Sequence, residues 1–300
     1  MRVSLGLPVY NGERFLKEAI ESIVAQSFEE FELLISDNAS MDGTAELCRA
    51  YAREDRRIRY ERAERNHGCA WNHNRVLELA TGQYFKWCAA DDVLGLDFVR
   101  KCVERLDRAS EAVLCYSGTT TVIDEWGKEI AIAEDETHVD SRDPVVRFAS
   151  LLGPLRHNVF YGLIRAELLR RSRPMGAYLA ADRCLVAELS LLGPFAKIGE
   201  KLFFRRMHDH NLRRSAKEEL EIYDPSMLRR VPIREWRVAR EHLSTVWRAP
   251  VTSGTRVRLV GTVLRWMLSQ RRYLLSELTE IGKYWVLAVS TAGGASACRD

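Results

Sequence analysis

Tyr84-Phe85-Lys86-Trp87-Cys88-Ala89-Ala90-Asp91-Asp92 decides the fold. A short apolar run bounded by small residues reads as a buried strand. Two adjacent carboxylates follow it. Beyond the C-terminal end of a parallel strand, such groups stand where open α/β sheets bind ligands. Hard oxygen donors of this kind suit a divalent cation carrying a diphosphate. A plainer reading stays open here: Asp92, ahead of Val93-Leu94, also fits a simple turn or helix cap.

The same design repeats on the N-terminal side. Val3-Ser4-Leu5-Gly6-Leu7 reads as a strand ending in Pro8-Val9-Tyr10-Asn11-Gly12. Phe15, Leu16, Ala19, Ile20, Ile23 and Val24 then share one helical face. Phe31 to Ser36 reads as a second strand, ending in Asp37-Asn38-Ala39-Ser40, and Asp42-Gly43-Thr44 opens another helix. Ile58-Arg59-Tyr60 leads to Asn66-His67-Gly68 and a helix ending near Ala80. Strands and helices alternating at these spacings predict βαβ units and a parallel sheet. The crossover rule brings the polar strand ends to one edge. Farther on, Ala112–Ser117 and Thr119–Ile123 read as strands with a turn at Glu125-Trp126-Gly127. Asp143-Pro144 opens a helix to Leu152, Val159–Ile164 reads as a strand, and Ala181–Leu192 as a helix.

The ordered set Pro8-Val9-Tyr10-Asn11, Ser22 with Gln26-Ser27, Ser36-Asp37-Asn38-Ala39-Ser40-Met41-Asp42-Gly43-Thr44, Asn66-His67-Gly68, Asn74, Ala80-Thr81-Gly82 and Ala89-Ala90-Asp91-Asp92 resembles a family 2 glycosyltransferase of the GT-A fold. It covers roughly the first hundred residues. Ala181-Asp182-Arg183, Leu191-Leu192-Gly193-Pro194-Phe195 and Arg205-Arg206-Met207-His208 resemble the acceptor half of that domain more loosely.

The resemblance implies an α/β, Rossmann-like GT-A fold: a mixed, mainly parallel sheet flanked by helices. It implies a catalytic domain over 1–215, with a donor half over about 1–110 and an acceptor half over about 111–215. The last eighty or so residues lie outside the resemblance, and 216–300 reads from its own composition as a basic C-terminal helical extension. The implied substrate is a nucleotide-diphosphate sugar, a UDP-sugar before others. Pro8, Tyr10, Asn11, Asp37, Asn38, Asn66, Gly68, His73, Asn74, Ala90, Asp91 and Arg206 would surround it. Asp91, Asp92 and His208 would hold Mg2+ or Mn2+. Asp182 would be the general base of an inverting transfer to a glycan or lipid-linked acceptor, in cell-surface polysaccharide or glycolipid synthesis. Two alternatives remain: a polyprenyl-phosphate sugar transferase of the same fold and, from a different class, a non-catalytic sugar-nucleotide-binding or membrane scaffold protein.

Three positions depart from the family pattern. Ala89 replaces the first Asp of the usual Asp-x-Asp-Asp, so Asp91 must be the main protein ligand. Asn38 stands where a second Asp is common, and its amide can still bond a ribose or base edge. His73 stands where many members have an Arg near the diphosphate. Taken without the family, Asp182 reads as an acid complementing a helix dipole. A lone His208 reads as structural, although imidazole is an acceptable ligand for these cations. Arg205 or Arg206 matches phosphate geometry.

The chain has 300 residues, 46% hydrophobic and 29% charged, which fits a globular protein with a large core. Seven scattered cysteines without a Cys-x-x-Cys pair read as buried thiols in a reducing cytosol. The first strand begins at Val3, which leaves no room for a signal peptide. The longest apolar candidate, Tyr284–Val289, is far short of the roughly 20 residues a membrane span needs. The expected location is cytoplasmic, at most peripheral at the inner membrane face.

Charge is unevenly distributed. Residues 201–300 hold 19 Lys+Arg against 10 Asp+Glu, a net of +9; residues 1–200 hold 26 against 32, a net of −6. The basic part mixes Arg256, Arg258, Arg265, Arg271 and Arg272 with Leu259, Leu264, Trp266, Leu268 and Tyr273. That composition suits an amphipathic helix on anionic lipid. It equally suits a helix packed on the domain with solvated arginines. No nucleic-acid-binding motif accompanies the charge.

Overall fold

The computed structural model describes residues 1–153, 158–209 and 233–279. Strands β1 (Val3–Val9), β2 (Phe31–Asp37), β3 (Ile58–Arg62) and β4 (Tyr84–Trp87) alternate with helices α1 (Glu13–Val24), α2 (Thr44–Glu54) and α3 (Cys69–Leu79). β1 and β4 are buried along almost their whole length, as strands covered on both faces must be. After β5 (Val93–Leu94) and α4 (Phe98–Arg108) come β6 (Leu114–Ser117), β7 (Thr119–Ile123) and β8 (Glu129–Glu134). Then follow α5 (Pro144–Leu151), β9 (Leu163–Arg165), α6 (Ala166–Arg171), α7 (Ala181–Ser190), β10 (Phe195–Ile198) and β11 (Phe203–Arg206). Two long helices close the described chain, α8 (Arg234–Arg248) and α9 (Ser253–Ser269).

The seven-stranded sheet has the order β10-β6-β9-β4-β1-β2-β3, and the second sheet the order β5-β11-β7-β8. Pairs β1·β2, β1·β4, β2·β3 and β6·β10 are parallel, and only β9 runs against its neighbours. Each face carries its own core. Leu16 and Ile20 of α1, with Phe98 and Leu106 of α4, fill one. Val76 of α3, Phe148 of α5, Leu185 of α7, Val238 of α8 and Val263 of α9 fill the other. The two C-terminal helices thus extend a core of the catalytic sheet. Asp143 caps α5 by accepting from the Val145 N–H at 2.9 Å, with Pro144 in the first turn, as its sequence predicts.

The expected strand over Val159–Ile164 is corrected. Val159–Tyr161 forms a turn of 3₁₀-helix, and the strand starts only at Leu163. A Cβ at Gly162 would lie 2.8 Å from the Cys115 carbonyl oxygen, so this close approach to β6 admits only glycine. Strands β5, β8 and β10 were not read from the sequence. The expected boundary at 215/216 and the Tyr284–Val289 run, with Trp285, lie outside the described residues.

Candidate active site

Because β1, β2 and β4 are parallel, their C-terminal ends open at one edge. The Asn38 N–H donates to the Val9 carbonyl at 2.9 Å. The buried Asn72 amide donates to the carbonyls of Val9 and Ser36 at 3.2 and 3.0 Å, joining the two strand ends. Among the described residues, the non-glycine residues with positive φ are Asn11 (51°), Ala39 (63°) and Ala180 (67°). Two lie in these loops and the third immediately precedes Asp182's helix. Left-handed alanine costs about 1 kcal/mol or more and persists where its surroundings enforce it, commonly at functional sites. Here the enforcement is visible: Ser40 Oγ accepts the Asn11 N–H at 2.9 Å, and Asn11 Oδ1 accepts the Met41 N–H at 2.8 Å.

Asp37 and Asn38 hold this edge from within. The Asp37 carboxylate is fully covered; it accepts from the Ser40 N–H and the Tyr60 hydroxyl, both at 2.8 Å, and pairs with Arg62 at 3.2 Å. Burial and that carboxylate push the Tyr60 hydroxyl well above its ordinary range. Asn38 donates to Asn66 Oδ1 at 2.8 Å and to the Gly68 carbonyl at 3.2 Å, and accepts from the His67 N–H at 2.9 Å. Gly68, with φ 88°, makes that turn possible. Asp37 and Asn38 fasten the loops that carry Tyr10, Asn11 and Asn66. The exposed Trp71, stacked on His67 at 4.4 Å, also stands at this rim and was not singled out from the sequence.

Beyond β4, the carboxylate pair meets the end of β11. Asp91 is partly exposed, and its Oδ2 lies 3.0 Å from His208 Nε2. The His208 ring packs on Phe15 at 4.9 Å. Asp92 is buried, and its Oδ1 accepts the Arg206 N–H at 3.0 Å. Burial first, and then the neighbouring Asp91 charge, holds the Asp92 carboxyl well above the usual carboxylate range.

The Arg206 side chain is 1% exposed. The guanidinium donates to the Asp91 carbonyl at 3.0 Å, to the carbonyls of Asp124 and Glu125 at 3.1 and 3.2 Å, and to Glu18. A guanidinium engaged this way clamps the Asp91-Asp92 turn to α1 and the β7–β8 turn.

The donor set fits a shared cation rather than a closed cage. Asp91 Oδ2 and His208 Nε2 converge, and Asp92 sits behind them with its charge suppressed. Among the described residues no group of three His, Cys, Asp or Glu gathers into a complete ligand set. Mg2+ commonly needs only one or two carboxylates when substrate phosphates complete its shell. Ala89 contributes no donor.

Asn74 Oδ1 accepts the Met175 N–H at 2.8 Å, and its amide returns a bond to the Met175 carbonyl at 2.9 Å. Asn74 therefore anchors the segment leading to Asp182 on α7. His73 Nδ1 lies 2.9 Å from the Cys69 carbonyl, which assigns the Nδ1–H tautomer and leaves Nε2 as acceptor. Burial lowers the pKa of His73, while the Cys69 bond and Asp182 act in the other direction. Tyr161 ties the halves together. Burial, and then Asp92, Asp91 and Asp182, hold its hydroxyl well above the ordinary value, so one phenol senses all three carboxylates.

The sequence reading missed Lys86. Its ammonium is buried, donates to the carbonyls of Trp87 (3.1 Å) and Tyr161, and sits over the rings of Phe98 at 4.8 Å and Phe203 at 5.3 Å. Burial lowers its pKa. It pins the Tyr161 turn beneath Asp91-Asp92. The signal was present: a lysine in the middle of a four-residue apolar strand.

Comparison with known proteins agrees with this geometry. The chain is 33% identical over 102 residues to TuaG of Bacillus subtilis, whose name assigns it to teichuronic acid biosynthesis as a glycosyltransferase; the match covers 34% of this chain and 40% of TuaG. The structure is similar to S. aureus TarS 1-349 in complex with UDP-GlcNAc, with a TM-score of 0.64, 15% identity, and coverage of 90% of this chain and 73% of that one. It is also similar to the mannosyltransferase PcManGT of Pyrobaculum calidifontis in complex with GDP-Man and Mn2+, with a TM-score of 0.51, 17% identity, and coverage of 96% and 80%. At these identities the likeness establishes the fold, a GT-A sheet that is mixed and mainly parallel. The chain spans 26 to 40% of the length of the first curated relatives it matches. The model of Glycosyl transferase family 2 matches residues 4–160, more than half of the 300, and the chain belongs to that family.

Proposed function

We propose that this chain moves a sugar from a nucleotide-diphosphate sugar, a UDP-sugar before others, to an acceptor hydroxyl with inversion, in the making of a cell-surface polysaccharide or glycolipid. The observation that carries the reading is the placement of Asp91 and Asp92 just beyond the C-terminal end of β4 in the parallel sheet, with Asp91 Oδ2 3.0 Å from His208 Nε2 and Asp92 Oδ1 accepting the Arg206 N–H at 3.0 Å. Tyr10, Asn11 and Asn66 border the nucleotide, with Pro8, Gly68 and Ala90 forming the backbone wall. Asp91 and His208 would hold Mg2+ or Mn2+, and Asp92 would support them. When bound, that cation offsets the charge developing on the departing diphosphate. Asp182 accepts the acceptor's proton from the face opposite the leaving group. A positioned base of this type contributes about 10²- to 10⁴-fold in rate. The UDP-GlcNAc complex of TarS supports a nucleotide-sugar donor, and the Mn2+ complex of PcManGT supports a divalent cation. Six described cysteines are all free thiols, which suits a reducing cytoplasm, the location this reading assigns.

A thermal-shift screen of UDP-, dTDP- and GDP-sugars, with and without Mn2+, identifies the donor, because ligand bound to the native state raises the melting point. With that donor, Asp182→Asn should keep donor affinity and lose at least about 100-fold in transfer rate. Proton NMR coupling at the new anomeric centre should show inversion. A retained configuration overturns the single displacement. An unimpaired Asp182→Asn variant favours transfer to an already anionic polyprenyl phosphate.

A further inference from the structure

Helix α9 is apolar on two opposite faces, and among the described residues only one is covered. Leu259, Val263 and Trp266 point into the core it shares with α5 and α8. At about 100° per residue, Val257, Leu264 and Leu268 fall within about 40° of one another on the far side. They are 72%, 50% and 64% exposed. Residues 271–279 continue as helix after Gln270, with Tyr273 and Leu275 exposed as well. An amphipathic helix of a folded domain normally turns polar side chains outward.

The charge beside this stripe has one sign. From His242 to Ser276 the chain holds six arginines and no Asp, Glu or Lys. Arg248 pairs with Glu188 at 3.0 Å and Arg258 with Asp143 at 2.6 Å, and Arg256 donates to the Ala249 carbonyl at 3.0 Å. Arg265, Arg271 and Arg272 are exposed and pair with no carboxylate among the described residues. Arg265 borders the apolar stripe directly, about 60° from Leu268.

We infer that this face docks on an anionic lipid surface, with Val257, Leu264 and Leu268 entering the acyl boundary and Arg265, Arg271 and Arg272 meeting headgroup phosphates. Charge decides the occupant. A second copy seated on the stripe would bring the same unpaired arginines face to face, with no acid between Glu241 and Glu277 to separate them. Nucleic acid would satisfy the arginines but leave the aliphatic stripe in water. The inference goes beyond the transfer reading and stands whether or not that reading does.

The test uses the full chain and vesicle flotation. Phosphatidylcholine vesicles should retain little protein, and vesicles containing phosphatidylglycerol should retain it reversibly, with binding lost as salt shortens the Debye length from about 10 Å at 0.1 M to about 3 Å at 1 M. Each cation near an anionic surface is worth roughly a factor of five, so R265E/R271E/R272E should weaken binding at least about 100-fold. L264N/L268N keeps every charge and should weaken it at least about 10-fold by removing apolar insertion. Circular dichroism melting of both variants checks that each is folded. Equal retention on both vesicle types, or none on either, overturns the inference. So does a dimer in light scattering that the same substitutions dissolve, which assigns the face to a second copy.

Discussion

His242 makes the docking of α8 sensitive to acid. Its ring is 2% exposed, edge-on to Phe148 at 5.7 Å and to Trp266 at 5.5 Å. Its Nδ1 has no hydrogen-bond partner among the described residues. Burial, helped by the charges of Arg183 and Arg173 and opposed by Glu241, lowers its pKa to about 3. The unfolded chain takes up the proton near pH 6.5, while the fold refuses it until far lower. Stability is therefore intact above about pH 6.5 and falls as the pH drops toward 3. At pH 5 the unfolded residue lies about 1.5 units below its pKa, and at about 1.36 kcal/mol per unit the fold should have lost about 2 kcal/mol. That figure depends on the unfolded pKa alone, because the folded one lies well below 5. His242→Phe keeps a ring of similar size between the same neighbours and removes the proton. Urea unfolding followed by tryptophan fluorescence, at pH 7.5 and pH 5, should show the wild type losing about 2 kcal/mol more than the variant. Other titrating groups, Asp92 among them, are common to both proteins and cancel in the difference. An equal loss in both would refute the argument that His242 is held neutral.

Asp91→Ala should remove the Mn2+-dependent part of UDP binding measured by calorimetry and leave the metal-independent part; His208→Ala should do so more weakly. Asp37→Ala should weaken UDP binding even without metal, because the 38–41 turn loses its acceptor. Asn74→Ala should lower kcat while donor affinity holds, since the two bonds to Met175, together worth about 1–3 kcal/mol, position Asp182's segment and not the nucleotide. Arg206→Met should cost about 2–4 kcal/mol in urea, less than a fully buried pair because Glu18 is half exposed, and should also weaken Mn2+ binding.

The sheet was legible because β1, β2 and β4 are short apolar runs with polar residues at the same end, a pattern that parallel strands buried on both faces impose. The carboxylates were legible for the same reason: Asp91 and Asp92 directly follow such a run. The hydrogen-bond partners of the polar residues were not. Asp37, Asn38, Asn74 and Arg206 bond to Tyr60, Asn66, Met175 and Glu18, partners set by tertiary contact that no local spacing encodes. Val159-Phe160 misled because a buried 3₁₀ turn and a buried strand are equally apolar, and the deciding contact is Gly162 against β6. Strand β8 escaped because every residue but one is exposed, so no inward periodicity marks it.

The Arg206 clamp also orders events in time. It joins positions 188, 115 and 82 residues apart in the chain, at Glu18, Asp91 and Asp124. Loops of that length close late, because their entropy must be lost before any contact rewards it. Strands β1, β2 and β3 can pair from nearby segments as they leave the ribosome, Val3 with Phe31 and Leu33 with Ile58. The turn at Asp91-Asp92 acquires its final shape only when β11, made more than a hundred residues later, is laid beside it. Until then the nascent chain has its parallel sheet edge without a settled Asp91-Asp92 turn. A chain built this way gains its sheet early and the shape of that edge last.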